Sequence, residues 1–202
     1  ESLKRELPEL PDAKAKRFVE EYGLSRENVE VIVSDKSLAS YFEQVVSEID
    51  EMMNCEEVLA DKGKCTKLAA NYIVSELQKH LVKNGQSISN VKITPENYAE
   101  LIGLVADGKI NSSAAQVVLE EMYRTGADPS QIVEEKNLGQ MSDSGELENI
   151  VAEVLAKNQK SVDDFKAGKQ NALQFLMGQV MAASKGKANP GVVMEMLRKK
   201  LS

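Results

Sequence analysis

The sequence has 202 residues, a formal net charge of −7 and no tryptophan. That length suits one large or two modest domains, and 42% hydrophobic with 28% charged residues excludes a disordered polyelectrolyte. Aromatics are sparse, so the core must come from Leu, Val, Ile, Met and Ala. Helix formers dominate, which makes an all-α chain the expectation.

The opening "ESLKRELPELPDAK" reads as a linker entered midway, so a longer parent protein is expected. A first helix should begin at Pro11, bury Phe18, Val19 and Tyr22, and stop at Gly23. Ser25 can cap a second helix containing Asn28–Val33. "VEVIV" alternates like a strand, but Asp35 follows at once as the next cap, and helix is preferred. From Lys36 a longer helix carries Leu38, Tyr41, Phe42, Val45, Val46, Ile49 and Met52 at three- and four-residue spacings.

"DKGKC" (Asp61 to Cys65) should break the pattern, with a helix from Cys65 to about Lys83 ended by Asn84-Gly85. Three well-marked starts follow. Thr94-Pro95-Glu96 caps one helix, Asn111-Ser112-Ser113 opens a second that Gly126 closes, and Asp128-Pro129 opens a third closed by Gly139. The polar stretch Gly139–Leu147 reads as a domain boundary. Beyond it, helices are expected near Glu146–Lys157, Val162–Ala167, Ala172–Ser184 and Pro190–Leu201. The chain is therefore expected to divide into a helical domain, 1–141, and a three- to four-helix tail domain, 142–202.

Charge divides with it. From Asp143 onward nine Lys/Arg oppose seven Asp/Glu, a net of +2, which leaves −9 for the rest. Only the tail could favour a polyanion.

Few residues point to chemistry. His80 is the single histidine, so neither a His-rich metal site nor a Ser-His triad has its base, and at a helix end it should meet the last carbonyls. Cys55 and Cys65 are separated by nine residues, which is neither a zinc pattern nor a disulfide framework. Two reduced cytosolic thiols or one incidental bridge both remain open. "GKCT" (Gly63 to Thr66) resembles the end of a P-loop, but Val58 stands where that motif needs glycine. Adjacent acid pairs such as Glu120-Glu121 diverge around a helix. No catalytic residue and no metal ligand is assigned, and no apolar run of 18 residues suggests a membrane partner.

The segment "LMGQVMAASKGKANPGVVMEMLRKKL" (Leu176 to Leu201) is different. Gly168-Lys169 and Gly186-Lys187 each precede a helix start, where free N–H groups, partial positive charge and a lysine favour phosphate. Equally, Gly186 is a good helix stop and Asn189-Pro190 a good cap. From spacing alone, both phosphate binding and plain punctuation stay open. On the preceding helix Gly178 and Ala182 should allow close helix approach, with Met177 and Met181 mostly core.

Five segments in this order, "LPELPDAKAKRFVEEYGLS", "SDKSLASYFEQVV", "AANYIVSELQKHL", "ITPENYAELIGLVADGKINSSAAQVVLEEM" and "FLMGQVMAASKGKANPGVVMEMLRKKL", resemble the C-terminal half of the B subunits of tRNA-dependent amidotransferases. The closing segment is also similar to a small stand-alone family like the tail. The resemblance covers essentially the whole chain. It implies a cytoplasmic, ATP-dependent ligase that amidates misacylated Glu-tRNA(Gln) or Asp-tRNA(Asn) in complex with the A and C subunits. ATP and Mg would belong to an N-terminal cradle outside this chain, so no cofactor is expected here. The implied role is gripping the tRNA elbow, with Lys169, Lys185, Gly186, Lys187 and Asn189 as candidate nucleic-acid contacts. A helical protein–protein module without direct RNA binding is the alternative.

Overall fold

A computed structural model of the chain describes residues 9–55, 61–140 and 144–201, and every regular element among them is helical. These residues group into two compact units. The first comprises the described residues of Glu1–Asp107 together with Ala115–Glu135; the second comprises those of Gly108–Ala114 together with Lys136–Ser202. A short piece of the sequence-central region thus folds with the C-terminal helices.

In the first unit, α1 (Pro11–Tyr22), α2 (Arg26–Ser34) and α3 (Lys36–Cys55) start where proline or a capping side chain directs. Ser25 Oγ accepts from the Asn28 amide at 3.3 Å, and Asp35 Oδ1 accepts from Ser37 at 2.7 Å. "VEVIV" is helical because Val29 and Ile32, three residues apart, are both buried. Phe18, Tyr22 and Phe42 join α1 to α3 with ring centroids 5.3 to 5.7 Å apart, a spacing that favours tilted aromatic pairs. Above them Arg17 donates to both oxygens of Glu9, at 3.0 and 2.6 Å, and also pairs with Glu43, which Lys14 meets at 2.7 Å. The hydrogen bonds from Arg17 hold the Glu9 carboxyl below its ordinary pKa. Burial pushes Glu43 up, but hydrogen bonds from Lys14 and Arg17 outweigh it and leave that carboxyl low as well.

The next helix starts earlier than expected. α4 (Lys62–Tyr72) begins at Lys62, with Asp61 accepting from the Gly63 amide at 3.1 Å, so "DKGKC" is a cap and first turn rather than a break. It runs through a π-helical turn, Ile73–Leu77, into α5 (Gln78–Asn84); the wider turn keeps both Ile73 and Leu77 buried. Asn84-Gly85 ends it as anticipated: Gly85, at φ 60°, donates to Val82 O and Gln86 to Leu81 O. After a 3-10 turn at Ile88–Asn90 come α6 (Pro95–Ala106), α7 (Ser112–Thr125) and α8 (Pro129–Glu135). Helix α8 stops at Glu135 rather than at Gly139; Asn137 turns the chain in the left-handed conformation at φ 51°.

His80 does not turn its ring to the helix-end carbonyls. The ring stacks on Tyr123 at 5.1 Å, while Asn84 and the Tyr123 hydroxyl donate to the His80 carbonyl. Cys65 is a free, fully buried thiol whose pKa burial raises, which makes it a poor nucleophile. The Cys55 side chain lies outside the described residues, as does the boundary sequence Met141–Asp143.

The second unit holds α9 (Ser144–Lys157), α10 (Gln159–Lys166), α11 (Gln170–Ala183) and α12 (Pro190–Leu201). Helix α10 starts three residues before the expected Val162, because Asn158 closes α9 and at once offers its carbonyl to Ser161 and Val162. Helix α11 packs against α9, α10 and α12, and its Leu173, Leu176 and Val180 are buried in the shared core. Truncating the fully buried Leu176 to alanine would cost about 2–5 kcal/mol. Met177 and Met181 pack half-buried against this core. Gly178 behaves differently from expectation: a Cβ placed there meets nothing within 4 Å, and Ala182 is exposed, so this stripe faces solvent. No helix among the described residues is long and apolar enough to cross a membrane.

Candidate nucleic-acid interface

The hinge between α11 and α12 is built from side chains and backbone that close on one another. Helix α11 ends in a double reverse bond: Lys185 N–H donates to Ala182 O at 3.1 Å, and Gly186 N–H to Met181 O at 2.8 Å. In that arrangement the residue after the cap is normally glycine, because it sits in the left-handed region. Here it is Lys185, at φ 55°, followed by Gly186 at φ 76°. An L-residue there is disfavoured by about 1–2 kcal/mol. Among the described residues only Asn137 shares that conformation without being glycine.

Ser184 ties the turn together. Its hydroxyl donates to Met181 O at 3.1 Å and accepts from the Ala188 amide at 3.4 Å, while its carbonyl accepts from Lys187 N–H at 3.0 Å. Ala188 is fully buried and anchors the hinge to the core. Neither Lys185 nor Lys187 is ion-paired among the described residues; Lys185 is exposed and Lys187 half-buried.

The start of α12 is not an open anion cradle. Asn189 Oδ1 accepts from Gly191 N–H at 2.9 Å and from Val192 N–H at 3.4 Å, Pro190 has no N–H, and Val193 donates to Asn189 O. Every first-turn donor is engaged. Asn189 acts as a cap, and what the hinge can offer an anion is its lysine side chains.

Lys169 stands elsewhere. It precedes α11, whose length of 14 residues puts it about 20 Å from the hinge. Its ammonium pairs with Asp164 Oδ1 at 2.8 Å, and that hydrogen bond holds Asp164 below its ordinary pKa. Sequence proximity to a helix start groups Lys169 with the hinge lysines, whereas the structure sets it at the opposite end of α11 with a carboxylate partner.

Between these ends runs a surface the sequence did not announce. Helix α11 carries no charged residue, and Asn171, Gln174, Phe175, Gly178, Gln179 and Ala182 are all exposed, Phe175 by 49%. One face of the helix thus presents amides, a ring and bare backbone, leading up to Lys185. A second unanticipated contributor is Asn111. Its Oδ1 accepts from Ala114 N–H at 2.9 Å as a cap of α7, and its Nδ2 donates to the Gly186 carbonyl in the hinge. Asn111 belongs to the same unit as the hinge although 75 residues separate them in sequence. Its capping role was legible; the second bond was not.

Among the described residues no group of three or more His, Cys, Asp or Glu could hold a metal. Besides Glu9 and Glu43, whose pKa values are lowered, the first unit holds a carboxyl shifted the other way. Burial raises the pKa of Glu100, which accepts a hydrogen bond from Ser130 beside Asp128. It is a packing feature of α6 against α8, which are in contact.

Residues 41–201 match the family described as the GatB domain. Over all 202 residues the chain is 43% identical to the B subunit of the aspartyl/glutamyl-tRNA(Asn/Gln) amidotransferase of Clostridium beijerinckii, of which it covers 39%. It is 42% identical over 199 residues to the protein of that name from Rickettsia canadensis, covering 98% of this chain and 38% of that one. The Persephonella marina protein of the same name is 42% identical over 201 residues, 100% of this chain and 40% of that one. The chain thus spans about two fifths of the length of the curated relatives it matches.

Proposed function

The chain belongs to the GatB domain family, and on that basis we propose that it is the tRNA-gripping region of the B subunit of a tRNA-dependent amidotransferase. In this reading the whole cytoplasmic enzyme converts Glu-tRNA(Gln) or Asp-tRNA(Asn) to the amide form with ATP. The ATP and Mg sites lie in the part of the polypeptide outside this chain, and the A and C subunits are its partners. This chain contributes no catalytic group. It holds tRNA so that the acceptor end can reach the chemistry, with the second unit as its tail domain.

The observation that carries the proposal is Lys185, an exposed cation, unpaired among the described residues and held in a conformation that glycine would adopt with less strain. Lys187 adds a second charge one residue beyond Gly186. Lysine is a compact point charge suited to phosphate, and structured RNA is recognised largely through shape, phosphates and 2′-hydroxyls. The uncharged face of α11 supports the same reading: Asn171, Gln174 and Gln179 offer donors and acceptors to 2′-hydroxyls, and Gly178 allows the RNA backbone close to the helix. An overall charge of −7 opposes a polyanion, so binding by this chain alone is weak and confined to few phosphates.

A titration of fluorescent tRNA(Gln), tRNA(Asn) and an unrelated tRNA with the chain, at low and moderate salt, tests this. Salt-sensitive binding of folded tRNA is expected. Failure of all three to bind, with retained binding to the A and C subunits, would favour the protein-docking alternative.

A further inference from the structure

A carboxamide offers different chemistry at its two ends, and Asn111 uses both. Its oxygen meets the Ala114 amide at 2.9 Å, so its nitrogen is the end directed at the Gly186 carbonyl. Reversing the amide would break both bonds, which fixes its orientation. The acceptor it holds lies in the peptide between Gly186 and Lys187, inside a turn where two successive residues are left-handed. Left-handed residues are marginal on their own account and persist when their surroundings over-determine them. Ser184 restrains the amide side of this turn, at Lys187 and Ala188, and Asn111 restrains its carbonyl side.

We propose that Asn111 is a positioning residue for the hinge: by holding the Gly186 carbonyl it fixes the direction in which Lys185 and Lys187 leave the backbone toward RNA. The proposal rests on the reading of the hinge as an RNA contact. Asn111 itself touches no phosphate. It acts by pre-ordering the two lysines, so that less freedom is lost when RNA binds.

A serine at this position separates the two bonds. Serine caps a helix about as well as asparagine, carries no charge, and is too short to reach Gly186. Alanine loses both bonds. The experiment uses the whole chain as wild type, N111S, N111A and the double variant K185E/K187E. It reads amide hydrogen exchange at Lys187 and Ala188 without RNA, and affinity for a tRNA(Gln) transcript. In N111S the two hinge amides should exchange faster. Affinity should fall about two- to tenfold, what one neutral hydrogen bond is worth. N111A should lose affinity to the same extent.

If N111S matches wild type in exchange and affinity while K185E/K187E binds weakly, Asn111 is only a helix cap; the proposal is overturned and the hinge reading stands. Faster exchange with unchanged affinity also overturns it, because the hinge then needs no pre-ordering. If K185E/K187E binds tRNA as wild type does, the hinge reading itself fails and takes the positioning role with it, whatever the exchange data say.

Discussion

Replacing Lys185 with glycine separates what this side chain does for folding from what it does for binding. The residue sits at φ 55°, exposed, and its one backbone bond, from N–H to Ala182 O, survives the change. Removing the Cβ relieves a left-handed penalty of about 1–2 kcal/mol. Glycine gives back about 0.5–1 kcal/mol through the greater freedom of its unfolded state. The net expectation is a gain of between about zero and 1.5 kcal/mol, which for a chain of this size moves the melting midpoint upward by a few degrees. Circular dichroism in urea reads it, and Lys185→Asn, which also tolerates this conformation, should be close to neutral. Affinity for tRNA should move the other way and fall severalfold, because one phosphate contact is gone. A loss of more than about half a kcal/mol, beyond what an exposed substitution normally produces, would show that the lysine stem is needed for packing. Unchanged affinity would rule out phosphate contact as the reason for a lysine at that position.

Arg17→Ala strips Glu9 and Glu43 of a shared partner and should destabilise the first unit by about 0.5–1 kcal/mol at neutral pH, because Arg17 and Glu43 are half-buried while Glu9 is exposed and its pair is screened by solvent. Both carboxyls lie below their ordinary values, so their contribution is present above the unfolded carboxylate pKa and lost as pH falls through the folded values. Acid unfolding of Arg17→Ala should accordingly be shallower than wild type, and a parallel acid limb would contradict the network. Glu100 has the opposite sign: its folded pKa is raised, so its favourable contribution is present at low pH and lost as pH rises through the folded value. Glu100→Gln should stabilise at pH 7 and do little at pH 4; equal effects at both pH values would refute this. A protease site placed between Gly139 and Gly145 should give two pieces that co-elute after cleavage, since Gly108–Ala114 folds with the second unit. Separation of the pieces without denaturant would contradict that grouping.

Most helix starts were legible because their signals are local. Ser25, Asp35, Thr94 and Asp128 each cap the helix that follows through an oxygen two or three residues away from its donor. Glycine inside a first turn misled at Gly63, where Asp61 supplies the cap and the helix needs no strong helix former. The hinge was legible as a hinge, from Gly186, Asn189 and Pro190. Its conformation was not: local pattern puts glycine, not lysine, at the left-handed position, yet Lys185 occupies it. Gly178 and Ala182 are compatible with close packing or with a bare surface, and only the arrangement of α9, α10 and α12 around α11 decides between them. Asn111 marks the limit most clearly. Its cap follows from three neighbouring residues, whereas its bond to Gly186 depends on a pairing 75 residues away that no local pattern encodes.

The central claim is that the hinge lysines meet tRNA phosphate. The most direct test is the salt dependence of tRNA(Gln) affinity for wild type and for K185E/K187E, with thermal unfolding measured on the same samples. Both lysines are unpaired among the described residues and Lys185 is exposed, so stability should change by no more than about half a kcal/mol. Affinity should fall severalfold or more, and the slope of log affinity against log salt should drop by about one to two units, the number of phosphate contacts removed. Equal affinity and equal slope in the two proteins would contradict the claim and leave the Lys185–Asn189 turn as helix punctuation.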